Sequence, residues 1–165
     1  MNHLQTLQNK IVEVSSLINM INSWRSEGCK VVFSNGCFDI LHRGHIDYLA
    51  RASDLGQKLI IGLNTDASVS RIKGPTRPIN DENSRALVLA ALSFVSAVIL
   101  FDEPTPYELI RLIQPDILVK GADYKVEDIV GYDIVMARGG SVETIPLVSG
   151  YSTTAIETRI RAAKN

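Results

Sequence analysis

Two of the three histidines in this chain, His42 and His45, stand three residues apart with Gly44 between them. They close the run Asn35-Gly36-Cys37-Phe38-Asp39-Ile40-Leu41-His42-Arg43-Gly44-His45, which reads as the turn from a buried strand into a helix. Positions three apart on a helix share a face. A helix start offers unpaired N–H groups and a positive dipole end, and a glycine lets a ligand approach the backbone. Two imidazole donors added to such a start make an anion site suited to a polyphosphate. A zinc pair is a poorer reading, because no third His, Cys or carboxylate follows at a ligand-like spacing. Spacing alone also leaves open two incidental surface histidines. The run is neither a G-x-G-x-x-G dinucleotide fingerprint nor a Walker A loop.

Other residues could serve the same chemistry. Arg71, Lys73 and Arg77 put three cations in seven residues, within a stretch to Pro78 that holds a glycine and two prolines. It reads as a basic loop, mobile until it closes over a triphosphate or an acceptor phosphate; the plain alternative is a solvated connection. Arg85, on the helix that follows, either clamps phosphate or faces solvent. Ser152, Thr153 and Thr154 open the last helix, where Thr154-Ala155-Ile156-Glu157 fits a capping box. Hydroxyls that cap a helix start are compatible with phosphates received at the same end. Asp123 is the better candidate for recognising a hydroxyl of the acceptor or ribose, whereas Asp39 reads equally as a brace of its turn. Cys37 lies inside the run with no activating base beside it, so it reads as a small packing residue.

The elements that must position these groups follow from apolar patterning. Hydrophobic residues make up 45% and charged residues 21% of the 165 residues, as expected of one globular domain. The net charge of −1 excludes a polycation, so nothing at this level points to nucleic acid or an anionic membrane. Cys29 and Cys37 are too few for a disulfide scaffold or a four-thiolate zinc site. No apolar run approaches the ~20 residues of a membrane span, and the first residues do not read as a secretory signal. A cytoplasmic protein with reduced thiols is the expectation.

Leu4, Leu7, Ile11, Val14, Ile18, Ile21 and Trp24 mark a helical arm over 1–28. Its break is expected near Ile11 to Val14, with Ser15-Ser16 capping a second helix to about Glu27. The arm's stripe is expected to pack on its own domain or on a second copy. From 29 to 165, buried strands are expected at 30–35, 58–63, 97–101, 116–120 and 141–145. Helices are expected at 43–55, 82–94 (capped by Asn80), 105–114, 127–138 and 152–163. Continuous apolar strands alternating with helices imply a doubly wound, Rossmann-like parallel sheet of about five strands with helices on both faces. Ligands of such sheets sit at the carboxyl ends of the strands. That directs attention to the loops after Asn35, Asn64, Phe101 and Lys120.

The run from Gly36 to His45 resembles the HxGH signature of the nucleotidyltransferase superfamily that includes the cytidylyltransferases. The likeness returns in Tyr151-Ser152-Thr153-Thr154-Ala155-Ile156. Within the superfamily the chain is most similar to the D-glycero-β-D-manno-heptose 1-phosphate adenylyltransferases. That likeness rests on 35–45, 64–68, Lys73-Gly74 with Arg77-Pro78, Thr105-Pro106, and 118–124. In many organisms such a domain is fused behind a sugar kinase; here it is expected to stand alone.

The resemblance implies attack by a sugar 1-phosphate oxygen on the α-phosphate of ATP, with loss of pyrophosphate. It gives His42, His45 and Lys73 catalytic roles. Asn35, Gly36, Cys37, Phe38, Gly44, Arg85, Ser152, Thr153 and Thr154 fall to nucleotide binding, and Asp39, Arg77, Lys120, Gly121 and Asp123 to the acceptor. Mg2+ is expected with ATP, bridging its phosphates, and no protein-held metal is expected. The resemblance also implies a homo-oligomer. Two alternatives remain at this point. One is a cytidylyltransferase acting on glycerol 3-phosphate or a related alcohol phosphate, against which weighs the lack of an arginine in Pro146–Gly150. The other is a nucleotide-binding module without turnover, against which weigh the intact His42, Gly44 and His45.

Overall fold

The computed structural model describes residues 2–122 and 125–163. Five strands, β1 (Val31–Gly36), β2 (Lys58–Asn64), β3 (Val95–Phe101), β4 (Ile117–Gly121) and β5 (Ser141–Ile145), form one sheet in the order β3-β2-β1-β4-β5. Every pairing is parallel. Successive side chains of a strand point to opposite faces, so a doubly covered strand must be apolar on both. In β1, Val32 joins a core with Leu49, Leu59, Ile61, Leu89 and Val98, while Val31 and Phe33 join a second core with Leu17, Ile21, Ile60, Ile110 and Leu118. Helices α3 (Arg43–Ser53) and α5 (Glu82–Ala90) cover the first face; α2 (Val14–Ser26), α6 (Tyr107–Ile113) and α7 (Tyr132–Ala137) cover the second. This is the expected doubly wound, Rossmann-like sheet. Strand order reverses between β1 and β4, which opens the crevice at their carboxyl ends.

The arm breaks where expected, into α1 (His3–Gln8) and α2. Its second helix starts earlier, at Val14, and Glu13 rather than a serine occupies the cap position, with no side-chain cap bond. Between the two helices the Val98 N–H donates to Lys10 O and the Val12 N–H donates to Val98 O, so Ile11 pairs with Val98 on the outer side of β3. Leu17 and Ile21 are fully buried against the same chain. Part of the stripe therefore packs on its own domain, while Leu4 and Val14 stay exposed. Leu17→Ala is expected to cost about 2–5 kcal/mol of folding stability, read as a shift of the urea midpoint, because the cavity it leaves has rigid walls.

Three local expectations are corrected. A helix, α4 (Asp66–Lys73), runs into the first residues of the expected loop, so Arg71 and Lys73 lie in its last turn and the loop begins only at Gly74. Asp81, not Asn80, caps α5 by accepting the Ser84 N–H at 2.9 Å, and that helix ends at Ala90. The stretch expected to be helical from 127 is a single 3-10 turn (Val126–Asp128) followed by the shorter α7. Gly131 adopts φ 92°, and a Cβ there would come within 2.7 Å of Ile110 Cδ1. Glycine alone permits both the break and the close approach.

Candidate active site

The Asn35–His45 run leaves β1 and turns into α3 through Phe38, at φ 45°. His42 is the cap of α3: its Nδ1 accepts the backbone N–H of His45 at 3.3 Å. A nitrogen that accepts is unprotonated, so the ring proton of neutral His42 is on Nε2, available to a ligand. The His45 ring stacks on that of His42, with centroids 3.7 Å apart and planes 18° from parallel. Gly44 makes this possible. A Cβ there would lie 3.1 Å from the His42 ring and 3.2 Å from Tyr151 Cβ.

Burial lowers the proton affinity of both imidazoles. For His45, burial first, then the neighbouring His42 and the Lys73 ammonium, push the pKa down to about 4. Burial also lowers that of His42. At neutral pH the pair is uncharged and acts through N–H donors. In the unfolded chain His45 titrates near its ordinary 6.5, so the unfolded state takes up the proton first as pH falls. Stability is thus expected to be complete above about pH 6.5 and to decline toward pH 4, by up to about 1.4 kcal/mol per pH unit from this one group. Urea unfolding across that range measures the slope, and His45→Gln should remove its share.

Two adjoining cavities meet at these rings. One, of about 290 Å3, is bounded by Asn35 to Asp39, Tyr48, Lys120 and Gly121. The other, of about 260 Å3, is bounded by His42, Gly44, Tyr151 and Ser152 to Thr154. His45, Lys73, Leu147 and Thr153 line both. The strand ends of β1 and β4 are tied across the crevice, where the Lys120 ammonium donates to Asn35 Oδ1. Lys73 arrives from the end of α4. The last helix, α8 (Thr153–Ala162), presents its start to the second cavity. Its cap is Ser152, whose hydroxyl accepts the Ala155 N–H at 3.1 Å, so the capping box expected at Thr154 is not formed.

The remaining candidates divide by what already holds them. Asp39 is buried; it accepts from Arg77 Nη1 at 2.6 Å, the Ile79 N–H at 2.7 Å and the Asn80 N–H at 3.1 Å. Burial alone would raise its pKa, but those three donors outweigh it and hold the carboxylate below its ordinary value. Arg77 also pairs with Glu157 of α8. Arg71 is bound to Asp102 beyond β3. Two of the three cations of the expected basic loop are therefore paired with carboxylates. Arg85 neither faces solvent nor lines the two cavities: it is buried, donating to Cys37 O, Asn80 O and Asp66 Oδ1. It fixes the signature turn against α5. Cys37 lines the first cavity, and burial pushes its thiol pKa up, which suits a wall and not a nucleophile.

Asp123 lies outside the described residues. The loops after Asn64 and Phe101 open away from the two cavities, and only α4 carries the β2 side back to them through Lys73. Sequence reasoning missed Tyr48, which lines the first cavity while donating to Val119 O at 2.9 Å and sharing a hydrogen bond with Ser34 at 2.8 Å. Its place three residues after His45 on one helix face was the available signal. It also missed Leu147 and Glu157.

A family profile described as cytidylyltransferase-like matches residues 33–159, from β1 into α8. The chain belongs to the cytidylyltransferase-like family. This cytidylyltransferase-like chain is 52% identical over 160 residues to the bifunctional protein HldE of Caulobacter sp. (strain K31), covering 97% of the chain and 33% of that protein. It is 54% identical over 156 residues to the bifunctional protein HldE of Magnetococcus marinus, covering 94% of the chain and 32% of that protein. The chain thus spans about one third of the length of these relatives.

Among solved structures, a lipopolysaccharide core biosynthesis protein from Thermoplasma volcanium GSS1 superposes with a TM-score of 0.59 at 33% identity, over 75% of this chain and 99% of that one. A pantoate-β-alanine ligase from Francisella tularensis superposes with a TM-score of 0.61 at 15% identity, over 94% of this chain and 78% of that one, a likeness of fold. No helix among the described residues is long and apolar enough to cross a membrane.

Proposed function

We propose that this domain transfers AMP from ATP to D-glycero-β-D-manno-heptose 1-phosphate, giving ADP-heptose and pyrophosphate. The observation that carries the reading is the convergence of His42, His45, Lys73 and the start of α8 on adjoining cavities at the strand-order reversal. The high identity to HldE proteins, and the sugar-polymer context in the name of the Thermoplasma neighbour, support the acceptor class.

In this reaction an oxygen of the sugar phosphate forms a bond to the α-phosphorus, and the bond from that phosphorus to the bridging β-phosphate oxygen breaks. The attacking oxygen is already anionic, so no general base is required. Catalysis then rests on gathering mutually repelling anions and stabilising charge on the α-phosphate in flight. Neutral imidazole N–H groups donate to phosphate oxygens and need no proton transfer. The Lys73 ammonium, common to both cavities, offsets charge where the two substrates meet. The N–H groups at the start of α8 receive further phosphate oxygens.

Magnesium enters as Mg·ATP, a substrate. Among the described residues no three potential His, Cys, Asp or Glu ligands gather to hold an ion. The same reading puts the reaction in the cytoplasm, where ATP is supplied, and self-association is tested by light scattering of the full chain.

Pyrophosphate release from ATP and from CTP, each with heptose 1-phosphates of both anomeric configurations and with glycerol 3-phosphate, tests the proposal. Turnover with ATP and the β-heptose phosphate is expected. Preference for CTP with glycerol 3-phosphate overturns it. Nucleotide binding without pyrophosphate release from any pair favours a module without turnover.

A further inference from the structure

Helix α8 supplies one wall of the second cavity, yet it contributes no buried residue. By contrast α3, which supplies the opposite wall, buries Gly44, Tyr48, Leu49 and Ala52. Apolar burial therefore anchors α3 and does little for α8. Ile160, on α8, is 54% exposed.

Polar contacts hold α8 at two points, and both lead to the signature turn. At the first, Arg77 pairs with Glu157 of α8 on one side and with Asp39 on the other. All three side chains are largely shielded, with exposures of 15% for Arg77, 20% for Glu157 and 0% for Asp39. At the second, Arg43, the first residue of α3, donates to the Tyr151 hydroxyl at 3.1 Å and lies 5.4 Å from the centre of its ring. Tyr151 directly precedes the cap residue Ser152. An arginine between two carboxylates is planar, permanently charged and able to bond both at once, so it fixes orientation as well as distance.

We propose that α8 is a cover docked on the signature turn by these two polar clips, and that Arg77, Glu157 and Tyr151 are positioning residues for the nucleotide. Arg77 was expected to touch the acceptor; here it acts through α8. An element held by few buried apolar contacts opens at low free energy, independently of the sheet. Opening swings the Ser152–Thr154 end away from His42 and His45 and widens the second cavity. Closing sets that end where phosphates are received. This assignment rests on the proposed nucleotide reading of that cavity, but the docking itself does not.

Glu157→Gln removes the charge of the first clip and keeps its shape; Tyr151→Phe removes the hydroxyl of the second and keeps the ring. Hydrogen exchange on the full chain, with and without Mg·ATP, measures α8 directly. Glu157→Gln is expected to speed exchange across 155–162 by about tenfold, as loss of a shielded ion pair implies, and Tyr151→Phe by less, because its bond to Arg43 is exposed, with β1 and α3 unchanged. In kinetics the expected split is a several-fold rise in the ATP KM with the acceptor KM unaltered.

Unchanged exchange of α8 in both variants overturns the proposal. So does acceleration spread evenly over sheet and helix, because that marks a purely structural loss. If the wild type releases no pyrophosphate from any substrate pair, the nucleotide reading fails, while the exchange experiment still decides whether the clips hold α8.

Discussion

His45→Ala and His42→Ala are each expected to lower turnover by at least ~100-fold, the usual cost of deleting one donor aimed at developing charge. The two substitutions should differ in other respects. His42 is both cap and donor, since its Nδ1 holds the His45 N–H. Its loss should also cost about 1 kcal/mol of stability, as for other caps. His45 makes no such cap, and removing an imidazole that folding holds neutral should relieve the acid sensitivity of the fold. His42→Asn, which restores a capping acceptor without an imidazole, separates the roles: stability should return and turnover should not. Pyrophosphate release near the wild-type rate from either alanine variant would sink the catalytic assignment.

Lys73→Ala is expected to depress kcat strongly, on the order of 100-fold, and ATP affinity only modestly. Lys73 lines both cavities, so its ammonium lies where two anionic substrates must approach. A charge that matters most when the phosphates converge acts on the transition state more than on either ground state. Arg71→Ala should do far less, because Arg71 is committed to Asp102. Steady-state kinetics with ATP varied at saturating acceptor measure the split. A rise in the ATP KM with kcat unchanged would make Lys73 a binding residue only, and wild-type values for both would remove it from the site.

The strands were legible because a doubly covered parallel strand must be apolar on both faces, and 59–63 and 97–101 are unbroken apolar runs. Helix α4 was not legible. Its sequence Asp66-Ala67-Ser68-Val69-Ser70-Arg71-Ile72-Lys73 buries only Ser68 and Val69 and carries no apolar stripe. What starts it is Thr65, whose hydroxyl accepts the Ser68 N–H at 3.1 Å, a local signal easily read as a turn. The signature turn was legible as a chemical unit, since its donors lie within eleven consecutive residues.

The partners of Arg77 and Arg85 were not. Asp39 lies thirty-eight positions before Arg77, and Cys37 forty-eight before Arg85. A sequence shows that an arginine is present; only the fold shows whether a carboxylate has already claimed it. Thus a charged cluster that looked like one phosphate-gripping loop comprises one lysine at the cavities and two arginines already paired with carboxylates.

The pairing of Ile11 with Val98 bears on how the protein stays dispersed. An outer strand of an open sheet carries unpaired N–H and C=O groups, which are a template for a strand of another molecule. Lys10 and Val12 occupy those groups of Val98, and two helices flanking them hold the short bridge in place. The arm is therefore a guard against intermolecular zipping as well as a contributor of apolar packing. Its removal strips one side of the sheet of both protections and, with the loss of Leu17 and Ile21, uncovers part of the core, so a shortened chain is expected to clump in solution.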